Sequence, residues 1–192
     1  MNHMALKGWV GLLLVALLGG CATMTADECM VADWYRLGQQ DARDGRQSDF
    51  LAQRAGDCRE AGIAADVDAW RAGYDEGLVS FCTADNGFRF GLDGNSYRRI
   101  CPPGVEAGFL QGYDLGWSLN QVSERVNQAG RTLAGIEREL QRERERTPVD
   151  REKIADLRRE QREVERLLRA DELELASLRG VAVGRGFDLG RF

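Results

Sequence analysis

The stretch LNQVSERVNQAGRTLAGIEREL, residues 119–140, decides the fold because its apolar residues recur every three or four positions. This heptad spacing is typical of a helix that packs against another helix along a narrow stripe. The first stripe consists of Leu119, Val122, Val126, Ala129, Leu133, Ile136 and Leu140. A second stripe with the same spacing consists of Ile154, Leu157, Gln161, Val164, Leu168, Asp171, Leu175 and Leu178. The sequence therefore predicts two long helices with matching contact faces.

The two stripes are complementary when the chain folds back on itself, with Leu119 opposite Leu175 at one end. Between the stripes, Thr147 is suited to cap a helix and Pro148 to occupy its first position. We therefore predict an antiparallel coiled-coil hairpin over residues 118–179, with its tip near residue 147 and a length of about 42 Å at 1.5 Å per residue. The alternative is a long parallel coiled coil between two chains, which the break at Pro148 disfavours.

Residues 21–117 precede the hairpin and are predicted to form a small, mainly α-helical domain closed by disulfide bonds. Capping and glycine signals place helices at about 27–45, 49–61 and 66–81, and another helix begins near Gly104. The signals are Ser48 and Asp66 as N-caps and Gly45 and Gly62 as C-terminal glycines.

The segment 83–100 lies between two cysteines and is rich in glycine and asparagine. Its Asn86-Gly87 pair favours a turn, so we predict a stapled loop or a short β-hairpin. Because rigidly held loops often carry function, it supplies the candidate binding residues Phe88, Arg89, Phe90, Asn95, Tyr97 and Arg98. The alternative is a loop that only covers the core.

Four cysteines besides Cys21 are available for disulfide bonds, and four cysteines allow three pairings. Pairing of nearest neighbours requires the least reorganisation as the chain emerges, which favours Cys29–Cys58 and Cys82–Cys101. Each bond would stabilise the fold by roughly 3 kcal/mol. The chain has no CxxC pair, so a zinc ribbon or a thioredoxin-like redox site is disfavoured.

A glycine-containing phrase recurs along the chain, as WRAGYDEG at 70–77, FLQGYDLG at 109–116 and GFDLG at 186–190. Glycines four apart lie on one face of a helix, and each costs roughly 1 kcal/mol relative to alanine. We therefore predict close helix packing at Gly73, Gly77, Gly108, Gly112, Gly116, Gly186 and Gly190. The C-terminal segment 180–192 is expected to pack back on the domain, with Phe187 and Leu189 near the helix of Tyr113.

The N-terminus has the features of a secretory signal peptide over residues 1–20, with Lys7 before an apolar run of about ten residues. The sequence Leu18-Gly19-Gly20-Cys21 resembles a bacterial lipobox, which predicts cleavage and attachment of lipid to Cys21. Ala22 follows instead of the aspartate that retains lipoproteins in the inner membrane, so an outer-membrane anchor is favoured. The alternative is a plain secreted protein.

The remaining composition excludes several classes of function. His3 is the only histidine and leaves with the signal peptide, so the usual histidine-dependent catalytic and metal sites are excluded. Residues 22–117 contain 16 acidic residues against nine arginines, and the hairpin region is balanced, so nucleic-acid binding is not expected. We therefore predict no enzyme activity, cofactor or metal.

Residues 29–116 resemble a proteobacterial lipoprotein family, known as domain of unknown function 2799. The resemblance rests on the cysteine and glycine spacings, on ADW at 32–34 and NGF at 86–88, and on the two Gly-Tyr-Asp phrases. It implies an envelope lipoprotein and no catalytic residues, and the hairpin looks like an extension of the family core.

The expected function is a structural or interaction role at the periplasmic face of the outer membrane. The lipid at Cys21 would hold the protein on the membrane, and the hairpin would reach an envelope protein partner. The alternative is a periplasmic module that binds a small ligand or envelope glycan through loop 83–100. The oligomeric state stays open.

Overall fold

The computed structural model describes residues 23–190, which form seven helices and no strand. The predicted mainly α-helical class is confirmed. The predicted signal peptide and the predicted lipidation site Cys21 lie outside the described residues. The helices are α1 Ala26–Met30, α2 Trp34–Arg43, α3 Phe50–Glu60, α4 Val67–Phe81, α5 Ala84–Leu92, α6 Pro103–Glu145 and α7 Arg151–Gly184.

The described part of the chain divides into two compact units, one that ends at Gly77 and one that begins at Leu78. The boundary lies within α4, whereas the sequence analysis placed a boundary after residue 117. At residue 117 the chain is in the interior of α6, which continues without a break from the disulfide-closed region into the hairpin.

In the first unit, the single helix predicted over 27–45 is two helices, because each has its own N-terminal cap. Thr25 and Glu28 form a reciprocal capping box at the start of α1. The carboxylate of Asp33 accepts a hydrogen bond from the backbone N–H of Arg36 at 3.1 Å and so begins α2. The chain therefore turns between Val31 and Asp33.

The other boundaries of the first unit follow the sequence signals closely. Asp66 caps the start of α4 by accepting from the N–H of Ala69 at 2.9 Å. Gly45 and Gly62, the predicted C-terminal glycines, follow α2 and α3 with positive φ. Ser48 is not the cap of α3, since Asp49 occupies that position without a side-chain hydrogen bond. The Cys29–Cys58 bond joins α1 to α3.

In the second unit, the loop or hairpin predicted for 83–100 is wrong over its first half, which is α5. Thr83 accepts a hydrogen bond from the N–H of Asn86 at 3.2 Å and caps this helix. Gly87 and Gly91 do not break α5, because they form its contact face with α6. Only residues 93–102 remain irregular, and Cys82–Cys101 closes the segment as expected.

The predicted hairpin is present as α6 and α7, joined by residues 146–150. Asp150 caps α7 by accepting from the N–H of Lys153 at 2.9 Å, so the cap is three residues later than the predicted Thr147. The hairpin has two apolar clusters. The cluster near the tip contains Ile136, Leu140 and Leu157, and the cluster at the base contains Phe88, Leu115, Leu119, Val122, Leu175 and Ala182.

Of the C-terminal segment predicted for residues 180–192, residues 180–184 complete α7, and the described residues after it pack on the second unit. Phe187 and Leu189 lie against the base cluster, which includes Leu115 and Leu119 of α6. The ring of Phe187 stacks on the ring of Phe88, with centroids 4.5 Å apart. The segment therefore closes the base of the hairpin.

Four of the seven predicted packing glycines lie at helix crossings. A Cβ on Gly73 or Gly77 would collide with the backbone of α2, and one on Gly112 or Gly116 with the backbone of α5. The prediction is wrong for Gly108, where nothing lies within 4 Å of an added Cβ.

The prediction is also wrong for the two C-terminal glycines. Gly186 and Gly190 have positive φ and no neighbour within 4 Å of an added Cβ. They allow the chain to turn after α7 and do not form a helix contact.

The crossings of α2 with α4 and of α5 with α6 share one register. A Cβ on Gly38 would meet the carbonyl oxygen of Trp70, and one on Gly87 the carbonyl oxygen of Phe109, at the first position of the same phrase. The tyrosine of the phrase makes an equivalent hydrogen bond in each unit. Tyr74 donates to the carbonyl of Arg46, which follows the positive-φ Gly45, and Tyr113 donates to the carbonyl of Asn95, which follows the positive-φ Gly94. Each unit is therefore built around the same helix crossing.

Candidate functional site

A connected row of aromatic rings runs along one face of α6 in the second unit, and we call it the aromatic surface. Phe109 is the buried inner end of this row, whereas Tyr113 and Trp117 are half-buried. The rings of Phe109, Tyr113 and Trp117 follow one another at four-residue intervals on α6, with successive centroids 6.0 Å apart. Tyr97 packs over the row at 4.5 Å from Phe109 and 5.8 Å from Tyr113. Phe90 of α5 adjoins the same rings.

Hydrogen bonds fix the two tyrosine hydroxyls of the aromatic surface. The Tyr113 hydroxyl donates to the carbonyl of Asn95 at 3.1 Å and accepts from the N–H of Tyr97 at 3.3 Å. The Tyr97 hydroxyl accepts from the N–H of Cys101 at 3.0 Å and lies 3.2 Å from a carboxylate oxygen of Glu106, to which it donates. The loop is thus held to α6 at both rings.

Tyr97 keeps its proton at neutral pH. Partial burial raises the pKa of its hydroxyl above the usual value, and the neighbouring Glu106 carboxylate acts in the same direction. The N–H of Cys101 opposes this shift. The Tyr97 hydroxyl is therefore neutral near neutral pH and does not act as a phenolate nucleophile.

Beside the aromatic surface, Arg99 has a φ of 55°. This left-handed conformation is uncommon for residues other than glycine, and such strain is concentrated at functional sites. Arg99 is exposed in the segment closed by Cys101. The second unit therefore places a strained cationic residue next to half-buried aromatic rings.

The six candidate binding residues do not form one site. Phe90, Asn95 and Tyr97 meet at Tyr113 and belong to the aromatic surface or its hydrogen bonds. Phe88 is buried in the base cluster and cannot be a surface contact. Arg89 and Arg98 are exposed.

The candidate binding residues predicted from the sequence did not include Tyr113 or Trp117. The available signal was the four-residue spacing of Phe109, Tyr113 and Trp117, which places three aromatic rings on one face of α6. The glycines between these rings instead indicated close contact between helices.

The first unit contains a buried ion pair that the sequence analysis also missed. Asp41 is 1% exposed and accepts two hydrogen bonds from Arg54, at 2.9 and 2.7 Å, and one from the indole N–H of Trp70 at 2.9 Å. Arg54 also lies over the ring of Phe50. In the shared register Asp41 corresponds to Phe90, so the first unit has a polar network where the second unit has aromatic packing.

A cleft of about 440 Å³ lies beside the first described residues of the chain. Its apolar lining includes Met24, Val31 and Leu37, and charged side chains such as Arg36 and Glu28 form the rest of its wall. The cleft therefore presents both apolar and charged side chains.

A groove of about 510 Å³ lies between α6 and α7, midway along the hairpin. Ala129, Val164 and Leu167 supply its apolar surface. At one end Arg125 pairs with Asp171 at 2.9 Å and with Glu174 at 2.7 Å. Between the tip cluster and the base cluster, the heptad-stripe residues Ala129, Gln161 and Leu168 are only half-buried. The facing surfaces of α6 and α7 are therefore partly accessible from outside at this point.

Within residues 23–190, no group of three or more acidic, cysteine or histidine residues has the geometry to hold a metal ion. Among the helices of the same range, none combines the length and the hydropathy that crossing a membrane requires.

The described residues form a small helical protein closed by two disulfide bonds, with an aromatic surface in its second unit. Residues 33–118 match the model of a family described as protein of unknown function (DUF2799), and this match confirms the resemblance noted from the sequence. It ends within α6, so most of the hairpin lies outside it. Comparison with curated proteins and with solved structures found no similar protein.

Proposed function

We propose that the protein is a lipid-anchored envelope lipoprotein of the outer membrane, and that its hairpin docks onto another envelope protein. The lipobox-like sequence ending at Cys21 supports the anchor, and two disulfide bonds fit an oxidising compartment. The observation that carries the docking role is the open middle of the hairpin, where Leu167 is 47% exposed beside the groove.

The groove suits a protein partner better than a small ligand. It is shallow and lies on two long helices, with an apolar floor and paired charges at the rim, an arrangement typical of protein interfaces. A partner that covers Leu167 would bury its apolar surface while Arg125 and Asp171 set the register.

Photocrosslinking in intact cells tests this role. A photoreactive residue at Leu167 should form adducts with one envelope protein, identified by mass spectrometry. Leu173 on the same helix is the matched control, because it is 74% exposed and does not line the groove. Equal adduct patterns from the two positions would contradict docking at the groove.

The anchor has its own test. Cys21→Ala should release the protein from the membrane fraction, and mass spectrometry of the N-terminal peptide should find diacylglycerol on Cys21 of the unaltered protein. An unmodified thiol at Cys21 would contradict the anchor but not the docking surface.

A second candidate function is ligand binding at the aromatic surface, favoured by the locked rings of Tyr97 and Tyr113 beside Trp117. Flat aromatic rings with fixed polar groups can receive the apolar face of a sugar ring. Titration with soluble peptidoglycan fragments should change the fluorescence of Trp117, with Trp117→Phe as the control. An unchanged signal at millimolar fragment would remove this candidate.

A further inference from the structure

The chain is fixed to the first unit almost from the first residue that the structure describes. The backbone N–H and the hydroxyl of Thr23 both donate to one carboxylate oxygen of Asp57, each at 2.6 Å. The N–H of Met24 reaches the same oxygen at 3.2 Å. Met24 is itself buried, with its sulfur 3.9 Å from that of Cys58, so residues 23 and 24 are part of the folded unit.

This attachment limits how far the unit can lie from its anchor. Only one residue separates Cys21 from Thr23, and two fully extended residues span at most about 7 Å. This step rests on the proposed lipid at Cys21. With that lipid in the bilayer, the surface around Thr23 must lie at the level of the lipid headgroups, because no flexible linker intervenes.

The surface around Thr23 carries unusually exposed apolar side chains. Val31 is 84% exposed and Met30 is 66% exposed, at the end of α1. Val31 and Thr23 line the same cleft, which places the exposed Val31 side chain near Thr23, and Met30 is its neighbour in the sequence. Ala32 continues this apolar edge.

We propose that the first unit docks directly on the phospholipid bilayer, with Met30 and Val31 inserted among the headgroups. Transfer of two exposed apolar side chains from water is favourable but weak. The lipid on Cys21 makes the contact intramolecular, and the short connection gives a high effective concentration. The occupant of this surface is therefore a lipid surface, and a protein is the competing outcome.

The experiment uses the full-length lipidated protein with a photoreactive residue at Val31, in vesicles of phosphatidylethanolamine and phosphatidylglycerol. Irradiation should produce phospholipid adducts at position 31. Met30→Asp in the same reporter protein should lower their yield about fivefold or more, because a carboxylate resists insertion. Leu173→Asp is the matched control, since it adds the same charge at an exposed leucine of α7 and should leave the yield unchanged.

Each outcome decides the question. Lipid adducts that depend on Met30 support the docking, and Asp57→Ala should also lower them by loosening the attachment of Thr23. A lipidated Cys21 with no phospholipid adduct at position 31 would overturn the docking alone. If irradiation of intact cells gives only protein adducts at this position, a protein covers the surface and the proposal is wrong. An unmodified Cys21 would overturn the anchor and the docking together.

Discussion

Gly108 and Gly112 stand one helical turn apart on α6 and have opposite surroundings. A methyl group on Gly112 would collide with the carbonyl oxygen of Ala84 and the backbone N of Phe88, whereas nothing lies near Gly108. We expect Gly112→Ala to lower the free energy of unfolding by about 3 kcal/mol through overpacking. Gly108→Ala should raise it by about 1 kcal/mol through helix propensity. Urea unfolding of the oxidised proteins measures both, and equal effects would contradict the crossing.

Asp41 shows what a single carboxylate contributes in the interior of the first unit. Asp41→Ala leaves Arg54, whose side chain is 15% exposed, without its partner. Removing one member of a buried pair costs about 3–5 kcal/mol, so we expect a loss of this size in chemical unfolding. The exposed Asp75 is the control, and Asp75→Ala should change stability by less than about 0.5 kcal/mol. Similar losses in the two variants would show that the pair is not important.

The attachment of Thr23 predicts a dependence on pH. Hydrogen bonds from the Thr23 hydroxyl and backbone hold the pKa of Asp57 below its usual value. The stabilisation is therefore complete above the pKa of the unfolded chain and is lost as the pH falls through the lowered pKa of the folded protein. Thr23→Val should raise the pKa of Asp57, measured by NMR titration of its carboxyl carbon. Thr25→Val is the control, because that hydroxyl bonds Glu28 instead, and it should leave Asp57 unchanged.

At the scale of helices, the hairpin turn contains two candidate caps, of which one is used. Asp150 accepts from the N–H of Lys153, so Asp150→Ala should destabilise α7 by about 1 kcal/mol. Thr147→Ala should have a much smaller effect, because Thr147 precedes the helix by four residues. Thermal unfolding and amide exchange at Lys153 distinguish the two variants. If Thr147→Ala lowered the stability more than Asp150→Ala, Thr147 would be the N-cap of α7, as the sequence predicted.

The helices show which sequence signals are sufficient. Heptad spacing predicted α6 and α7 because a long periodic pattern outweighs any local preference, and nearest-neighbour pairing predicted both disulfides. Asn86-Gly87 was misleading for α5, because its glycines are needed for tertiary contact with α6 and its Thr83 cap is a weak signal. The Asp41 network could not be predicted, since its partners Arg54 and Trp70 lie 13 and 29 residues away. For the candidate site, the loop residues around Tyr97 were found, and the α6 rings were not.

At the scale of the whole molecule, each compact unit has its own disulfide bond. Cys29 and Cys58 both lie in the first unit, and Cys82 and Cys101 both lie in the second. Replacing Cys29 and Cys58 by serine should lower the stability of the first unit by roughly 3 kcal/mol. Hydrogen exchange should increase in α2 and α3 and change little in α5. Replacing Cys82 and Cys101 should reverse this pattern, and a uniform increase across all helices would contradict the division.

The closed base of the hairpin has a mechanical consequence. A partner that pulled on the middle of the hairpin would load α6 and α7 together, along their axes. The pull on α6 passes without interruption into the helix crossing with α5, and the pull on α7 passes through Phe187 to Phe88 of the same α5. Both helices of the hairpin are therefore attached to the same short helix, α5, which lies between the two cysteines of one disulfide bond. A pull on the hairpin would be shared between these two attachments, whereas a hairpin attached through one helix could separate from its free end.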